Sequence, residues 1–347
     1  RLKLLENDED LRIQAVIPLA ETAVDYSDVI GAMVGLKHYN PLNLATSRRD
    51  KGFMKETVRQ GGFRVAAFAR IRSASDIEEA VRELQLSWPV VVKTPQGFST
   101  TDVFICQTPS EAQLAATKIL NSIGPEGRRV SHALVEEYIG GTEFAVNLMA
   151  SGGKLIVTDV WKYIKTDKAR YSQADICDPS NPSLRSIVEY SKRVAEAVGL
   201  NYGAGHVEVK AQEDIDGLFV DPCMIEVGAR LSGGRKSTMT QAAMDGNWDP
   251  FSALIDSHSG LQPRVPSSFT PKNFVRHVFL PIEREGHVED IQLDVSGLTT
   301  LHAQAMIVNR GDRVKETTDI TSCAGFLWLV GGRQEVERDT EAALSSF

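Results

Sequence analysis

The chain has 347 residues, 42% of them hydrophobic and 24% charged, enough for two or three domains with cores of their own. Lys and Arg number 38 against 46 Asp and Glu, and a formal net charge of −8 repels phosphate backbones, which excludes nucleic acid as a main partner. No run approaches the roughly 18 apolar residues of a membrane helix, and Arg1-Leu2-Lys3 with the acidic residues 6–10 lacks a signal peptide's apolar core, so no membrane partner is expected and the protein is expected in the cytoplasm.

Residues 13–19 form a short apolar run that predicts a buried strand, followed by a helix over 26–36. Ser47 is placed to cap a helix from about 48 to 60 that stops at Gly61-Gly62. One strand and helix cannot cover both faces of a parallel sheet, and no methionine begins the chain, so residues 1–62 read as the remnant of a larger N-terminal α/β domain. Residues 63–70 predict a strand, and Ser75 can cap a helix reaching Leu86. Two strands at 90–93 and 102–107 and an amphipathic helix over 109–123 complete a small α+β unit spanning 63–132.

Strand patterns dominate from Ala133. Residues 134–139, 143–150 and 155–162 predict strands, the last two joined by a Ser151-Gly152-Gly153 hairpin turn. Residues 165–182 read as a long polar loop of the kind that usually serves function. A helix over 183–198 and strands at 206–211 and 218–227, around an acidic turn, fill out a larger unit over 133–265. A compositional shift after Pro266 marks a β-rich C-terminal subdomain, 266–347, with strands at 274–280 and 301–308 and a closing helix near 335–344. The four cysteines form no C-x-x-C, and there is no H-E-x-x-H or G-x-S-x-G, so structural zinc and serine hydrolysis find no support.

Three clusters carry chemical possibilities. Val90-Val91-Val92-Lys93 delivers a lysine from a buried strand into a Gly/Ser/Thr loop containing Ser99, Thr100 and Thr101, whose N–H groups and hydroxyls suit phosphate oxygens. A strand-edge lysine beside a flexible hairpin has the same pattern. Glu136-Glu137-Tyr138-Ile139-Gly140-Gly141-Thr142-Glu143 offers an edge backbone for an adenine and a carboxylate for ribose hydroxyls, or simply a hairpin with solvated acids. Glu208 and Glu226 sit in otherwise apolar strands, where unpaired carboxylates are expensive to bury. Together they invite a divalent cation, unless Lys210 and Arg230 neutralise them. Arg230 precedes Gly233 and Gly234, which permit close approach to an anion.

The order of Arg49-Asp50-Lys51, Lys93, the Glu136 to Glu143 stretch, Glu208 and Glu226-x-x-x-Arg230 resembles the ATP-grasp superfamily over about residues 11–260, most like its L-amino acid ligase branch. The tail, with Gly311-Asp312-Arg313-Val314 and Ala324-Gly325-Phe326, is similar to that branch's extra C-terminal segment. The resemblance implies an α/β (α+β) ATP-grasp fold with a truncated N-terminal α/β unit, a small lid subdomain, a large antiparallel-sheet subdomain and a C-terminal β-rich extension.

It also implies roles. Lys51 and Lys93 would bind ATP phosphates under a lid of Ser99, Thr100 and Thr101. Glu136 and the Glu137-Tyr138-Ile139 backbone would meet adenine, and Glu143 the ribose. Glu208 and Glu226 would hold Mg²⁺, with Mn²⁺ a substitute, and Arg230 would steady an acyl-phosphate and the tetrahedral intermediate. Many family members carry an asparagine two residues after the second glutamate, where this chain has Gly228, so water or another group must complete the metal shell. A homodimer is implied by the resemblance alone.

The expected activity is an ADP-forming ligase that joins a small carboxylate to an amine, as in dipeptide synthesis. Lys162, Lys168 and Arg170 are candidates for a substrate carboxylate. Gly233 and Gly234 are candidates for a pocket that admits a bulky group beyond Arg230. Glu21 is expected to be a structural acid. A ligase of non-amino-acid carboxylates and a catalytically silent nucleotide binder are the alternatives, the second disfavoured because Lys51, Lys93, Glu208, Glu226 and Arg230 are all present.

Overall fold

The computed structural model describes residues 12–97, 102–125, 127–166, 170–266 and 269–347. The apolar run at 13–19 is extended but joins no sheet. Pro18 has no N–H for a ladder, and Ile17 packs instead against the cluster holding Met244 and Trp248. Helix α1 (Val24–Met33) leads through two short turns to α2 (Lys51–Gln60). Asp50, not Ser47, caps α2: its carboxylate accepts from the N–H groups of Gly52 and Phe53. Ser47 lies in the turn before and shares a 2.7 Å hydrogen bond with Thr57. Aspartate satisfies two orphan donors and adds negative charge at the positive helix end.

The small sheet contains β1 (Phe68–Ile71), β2 (Val90–Lys93), β3 (Val103–Cys106) and β4 (Ala133–Glu137), antiparallel in the order β1-β4-β2-β3. Helices α3 (Ile77–Glu83) and α4 (Pro109–Leu120) cover one face, where Val90, Val92 and Val135 meet Ile77, Ala112 and Ile119. The turn into α3 is capped by Ser73, in a capping box with Asp76, rather than by Ser75. Because side chains alternate, Val91, Lys93 and Glu136 share the opposite, uncovered face.

The large sheet contains β5 (Thr142–Ser151), β6 (Lys154–Lys165), β7 (Tyr171–Cys177), then, after α5 (Arg185–Ala197), β8 (Gly203–Glu213) and β9 (Phe219–Gly228). Helices α6 (Lys236–Ala243) and α7 (Pro250–His258) precede β10 (Phe274–Leu280). A separate two-stranded ribbon, β11 (Gly286–His287) with β13 (Arg313–Val314), flanks β12 (Leu301–Met306), and β14 (Gly325–Gly331) and α8 (Arg333–Ser346) close the chain. The sheet order is β12-β14-β10-β7-β6-β5-β8-β9. Helix α5 and two residues of α2, Met54 and Val58, seal one face over Phe144, Val146 and Val207; Trp161, Met239 and Trp328 build a second core on the other.

Three expectations about segments change. Strand β4 belongs to the small sheet, so the two sheets part at the Gly140-Gly141 turn rather than at residue 133. Strands β10, β12 and β14 extend the large sheet, so position 266 falls within one continuous sheet. The polar stretch after Lys165 contains the central strand β7, made tolerable by Asp175, which takes two hydrogen bonds of 2.7 and 2.8 Å from Arg276 on β10. Among the described residues, no helix is long and apolar enough to cross a membrane.

Candidate active site

The uncovered face of the small sheet meets the β5–β8–β9 end of the large sheet across a cleft whose apolar wall includes Ala66, Val91, Ile105, Ile139 and Ile225. Lys93 stands at the end of β2, 3% exposed, with its ammonium 2.9 Å from Glu136 on β4. Lys55, one helical turn after Lys51 on α2, reaches the same Glu136 oxygen at 3.3 Å. Burial pushes the Lys93 ammonium down to about 8 against the pull of Glu136, with Lys55 and Lys51 adding repulsion. Burial alone would raise Glu136, but the two lysines hold it below the ordinary carboxylate range. One oxygen of Glu136 is therefore the counter-ion to this pair, while its Oε1 has no hydrogen-bond partner and the residue lines the cleft.

Lys51 links the elements. Its backbone N–H donates to Pro95 and its ammonium to the Gly97 carbonyl at 2.6 Å, while the ammonium also lies 2.8 Å from Glu226 on β9. Glu226 faces Glu208 on β8 in direct register, so both carboxylates project from one side of adjacent strands. Burial would raise the Glu226 carboxyl, yet Lys51, helped by Lys93 and Arg230, holds it at about 2. Glu226 is therefore an anion at any working pH.

Behind Glu208 runs a polar chain that no sequence motif announced. His206 Nε2 lies 3.2 Å from Glu208 and its Nδ1 2.8 Å from Asn147 Oδ1. The Asn147 amide donates to Asp159, which also accepts from Trp161 Nε1 at 2.6 Å and Thr158 Oγ1 at 2.8 Å. The legible signal was His206-x-Glu208, two residues of one strand on one face.

The remaining candidates divide. Glu143 on β5 accepts from Lys165 at 2.8 Å and from the Tyr171 hydroxyl at 2.5 Å. Lys210 donates to the Ile139 carbonyl at 2.8 Å and lies 4.9 Å from the Tyr138 ring, tying β8 to the chain segment after β4; Glu137 and Tyr138 line the same cleft. Neither Lys210 nor Arg230 is in ion-pair contact with the paired glutamates, although the charge of Arg230 adds to the attraction on Glu226. Arg230 instead meets Glu21 at 2.7 Å and donates to the Leu231 carbonyl, which makes Glu21 part of the site. A side chain at Gly228 would point at that carboxylate, 3.2 Å from its Oε2.

Three substrate candidates are moved elsewhere. Lys162 pairs with Phe144 on the α5 side of the sheet and lies 5.4 Å from the Phe219 ring, so strand alternation turns it away from the cleft; Lys165, an odd number of residues further, faces it. Arg170 is engaged by Glu316, with Glu283 at 3.8 Å. At Gly234 there is no vacant pocket: a Cβ there would lie 3.2 Å from His277 and 3.5 Å from the Lys236 ammonium, whereas Gly233 borders open space. Ser99, Thr100, Thr101 and Lys168 lie outside the described residues.

Two in-register carboxylates are hard oxygen donors that suit Mg²⁺ or Mn²⁺, which take one or two carboxylates and complete their shells with water and phosphate oxygens. The described residues contain no group of three or more His, Cys, Asp or Glu placed to hold a metal.

A model of the ATP-grasp domain matches residues 86–239. The chain is 28% identical to dapdiamide A synthase of Enterobacter agglomerans over 98% of its own length and 80% of that protein. It is 26% identical to an L-arginine-specific L-amino acid ligase of Bacillus subtilis over 54% of its length and 44% of the relative's. In fold, it superposes on the crystal structure of an L-amino acid ligase from Bacillus licheniformis with a TM-score of 0.79, covering 100% of this chain and 82% of that one at 18% identity. Residues 86–239 match an ATP-grasp domain, and the chain as a whole resembles the L-amino acid ligases.

Proposed function

We propose that the protein is an ATP- and Mg²⁺-dependent carboxylate–amine ligase that joins two amino acids, or an amino acid and a related acid, and releases ADP and phosphate. The observation that carries this reading is the facing pair Glu208 and Glu226 on the large sheet, lining one cleft with Lys93 and with Lys51, which pairs with Glu226. Two carboxylates and two ammonium groups converging on one cleft suit a metal-bound polyphosphate.

Lys51 and Lys93 bind phosphate oxygens and neutralise charge as the γ-phosphoryl group moves to the donor carboxylate. The base occupies the apolar wall near Ile139, and Glu143, although engaged by Lys165 and Tyr171, keeps lone pairs for a ribose diol. A divalent cation held by Glu208 and Glu226 supplies charge neutralisation at the phosphates. The amine of the second substrate attacks the acyl carbon, its proton departs, and phosphate leaves. Arg230, held in place by Glu21, is positioned to stabilise the oxyanion of that step. Acyl-phosphates hydrolyse, so Ser99, Thr100 and Thr101 are assigned to a closing lid.

The test is ADP and phosphate release from Mg-ATP across a matrix of paired amino acids, with mass spectrometry of the products. The expected result is release that requires a specific pair and a product lighter than its parts by one water. Glu226→Gln should lower that release by about 100-fold or more with the ADP affinity retained. AMP in place of ADP, or amide formation without ATP, overturns the reading.

A further inference from the structure

Lys236, the first residue of α6, carries a charge that the proposed mechanism does not use. It is 5% exposed, yet no carboxylate of the described residues lies within ion-pair distance of its ammonium, which stands 5.1 Å from the Tyr163 ring. Lys51, Lys55, Lys93, Lys165 and Arg230 each have a carboxylate oxygen at 3.3 Å or less, and Lys210 donates to the Ile139 carbonyl. Burial pushes the Lys236 ammonium down to about 8, with Glu208 and Asp159 pulling the other way, so near neutrality it remains mostly charged. A largely buried lysine with no carboxylate in contact is costly, and a ligand anion would offset that cost.

The surroundings favour an anion too. The ammonium lies 3.5 Å from where a Gly234 side chain would begin, and Gly233 beside it borders open space. Arg235, the residue before α6, takes a left-handed conformation at φ 59° and provides no side-chain cap, so the first N–H groups of the helix have no side-chain acceptor. A buried unpaired ammonium and an uncapped eight-residue helix therefore meet at one turn.

We propose that Lys236 and the α6 N-terminus bind the free carboxylate of the acceptor amino acid, and so select substrates that carry one. This rests on the ligase reading: the donor's carboxylate is consumed, whereas the acceptor's persists through the reaction and needs a cation other than Arg230. Lys236 is thus a specificity-determining residue, distinct from the groups that handle ATP.

The experiment compares the wild-type chain with Lys236→Met and Lys236→Arg, using L-alanine and its uncharged analogue L-alaninamide as probes. In thermal unfolding with Mg-ADP present, L-alanine should raise the wild-type transition more than L-alaninamide does. The difference should shrink in Lys236→Met and return in part in Lys236→Arg. With an active pair from the matrix, Lys236→Met should raise the acceptor KM about 10- to 100-fold, the loss of one charge-assisted contact, with the ATP KM within about twofold. An equal penalty for acid and amide, a probe difference unchanged by Lys236→Met, no difference in the wild type, or a shift by inorganic phosphate alone overturns the proposal. If no pair releases ADP, the ligase reading fails, and the thermal comparison still decides whether Lys236 binds a carboxylate.

Discussion

Replacing Glu136 by Gln keeps the shape of the buried Lys55–Glu136–Lys93 cluster and removes its only negative charge. Both lysines are at most 3% exposed, so no solvent discount applies. At an effective dielectric of about 20, contacts of 2.9 and 3.3 Å are worth about 6 and 5 kcal/mol. Several kcal/mol of that attraction only repays desolvation of the carboxylate. A lysine can also escape by losing its proton, at about 4 kcal/mol near pH 7.5 for an ordinary lysine. The expected net loss of stability is therefore about 3–5 kcal/mol, the usual range for breaking a buried pair from one side.

The sign of the pH dependence sharpens this. The wild-type Lys93 sits at about 8, so below that pH it is protonated in both folded and unfolded states and contributes no slope. In the variant the folded state has shed that proton while the unfolded state keeps it. Stability then rises with pH by about 1.4 kcal/mol per unit between roughly pH 6.5 and 8, and the gap to wild type narrows. Urea denaturation at three pH values across that interval, followed by tryptophan fluorescence, measures both quantities; Trp88 packs against the small-sheet core and reports locally. A loss below about 1 kcal/mol at pH 6.5, or a gap that does not narrow as pH rises, refutes the electrostatic account.

In the proposed function the same lysine governs nucleotide capture. Because burial sets Lys93 at about 8, its charge disappears above that pH, and kcat/KM for ATP should fall by up to about tenfold per unit beyond it. A Lys93→Arg variant that keeps activity should lose this limb, and an unchanged profile would show that Lys93 does not carry it. At the turn between the two sheets, Gly141 has φ +90° and a Cβ there would lie 2.3 Å from the Ala211 carbonyl oxygen. Gly141→Ala should cost about 1–3 kcal/mol in denaturation, more than Gly152→Ala, where the φ is +58° and nothing lies within 4 Å. Equal costs would locate the effect in backbone conformation alone.

Local chemistry was legible along the chain. The apolar run ending at Lys93, the Gly140-Gly141 turn and the strands bearing Glu208 and Glu226 each follow from alternation and turn residues, and their order sufficed for the fold family. What a strand faces depends on register and on its neighbours across the sheet. Lys162 and Lys165 are alike in the sequence, but only the second turns toward the cleft. The segment containing β7 is as polar as a loop, and becomes a central strand because Arg276, about a hundred residues later, neutralises Asp175. Glu136 was visible as an acid, but its engagement by Lys55 and Lys93 required a helix and two strands to converge. Lys236 carried no motif, and its isolation appears only when every carboxylate within reach has been placed. Sequence determines which groups a strand or turn carries, because those preferences act over a few residues; tertiary structure decides which charges are paired, because pairing depends on distances between residues far apart in the chain.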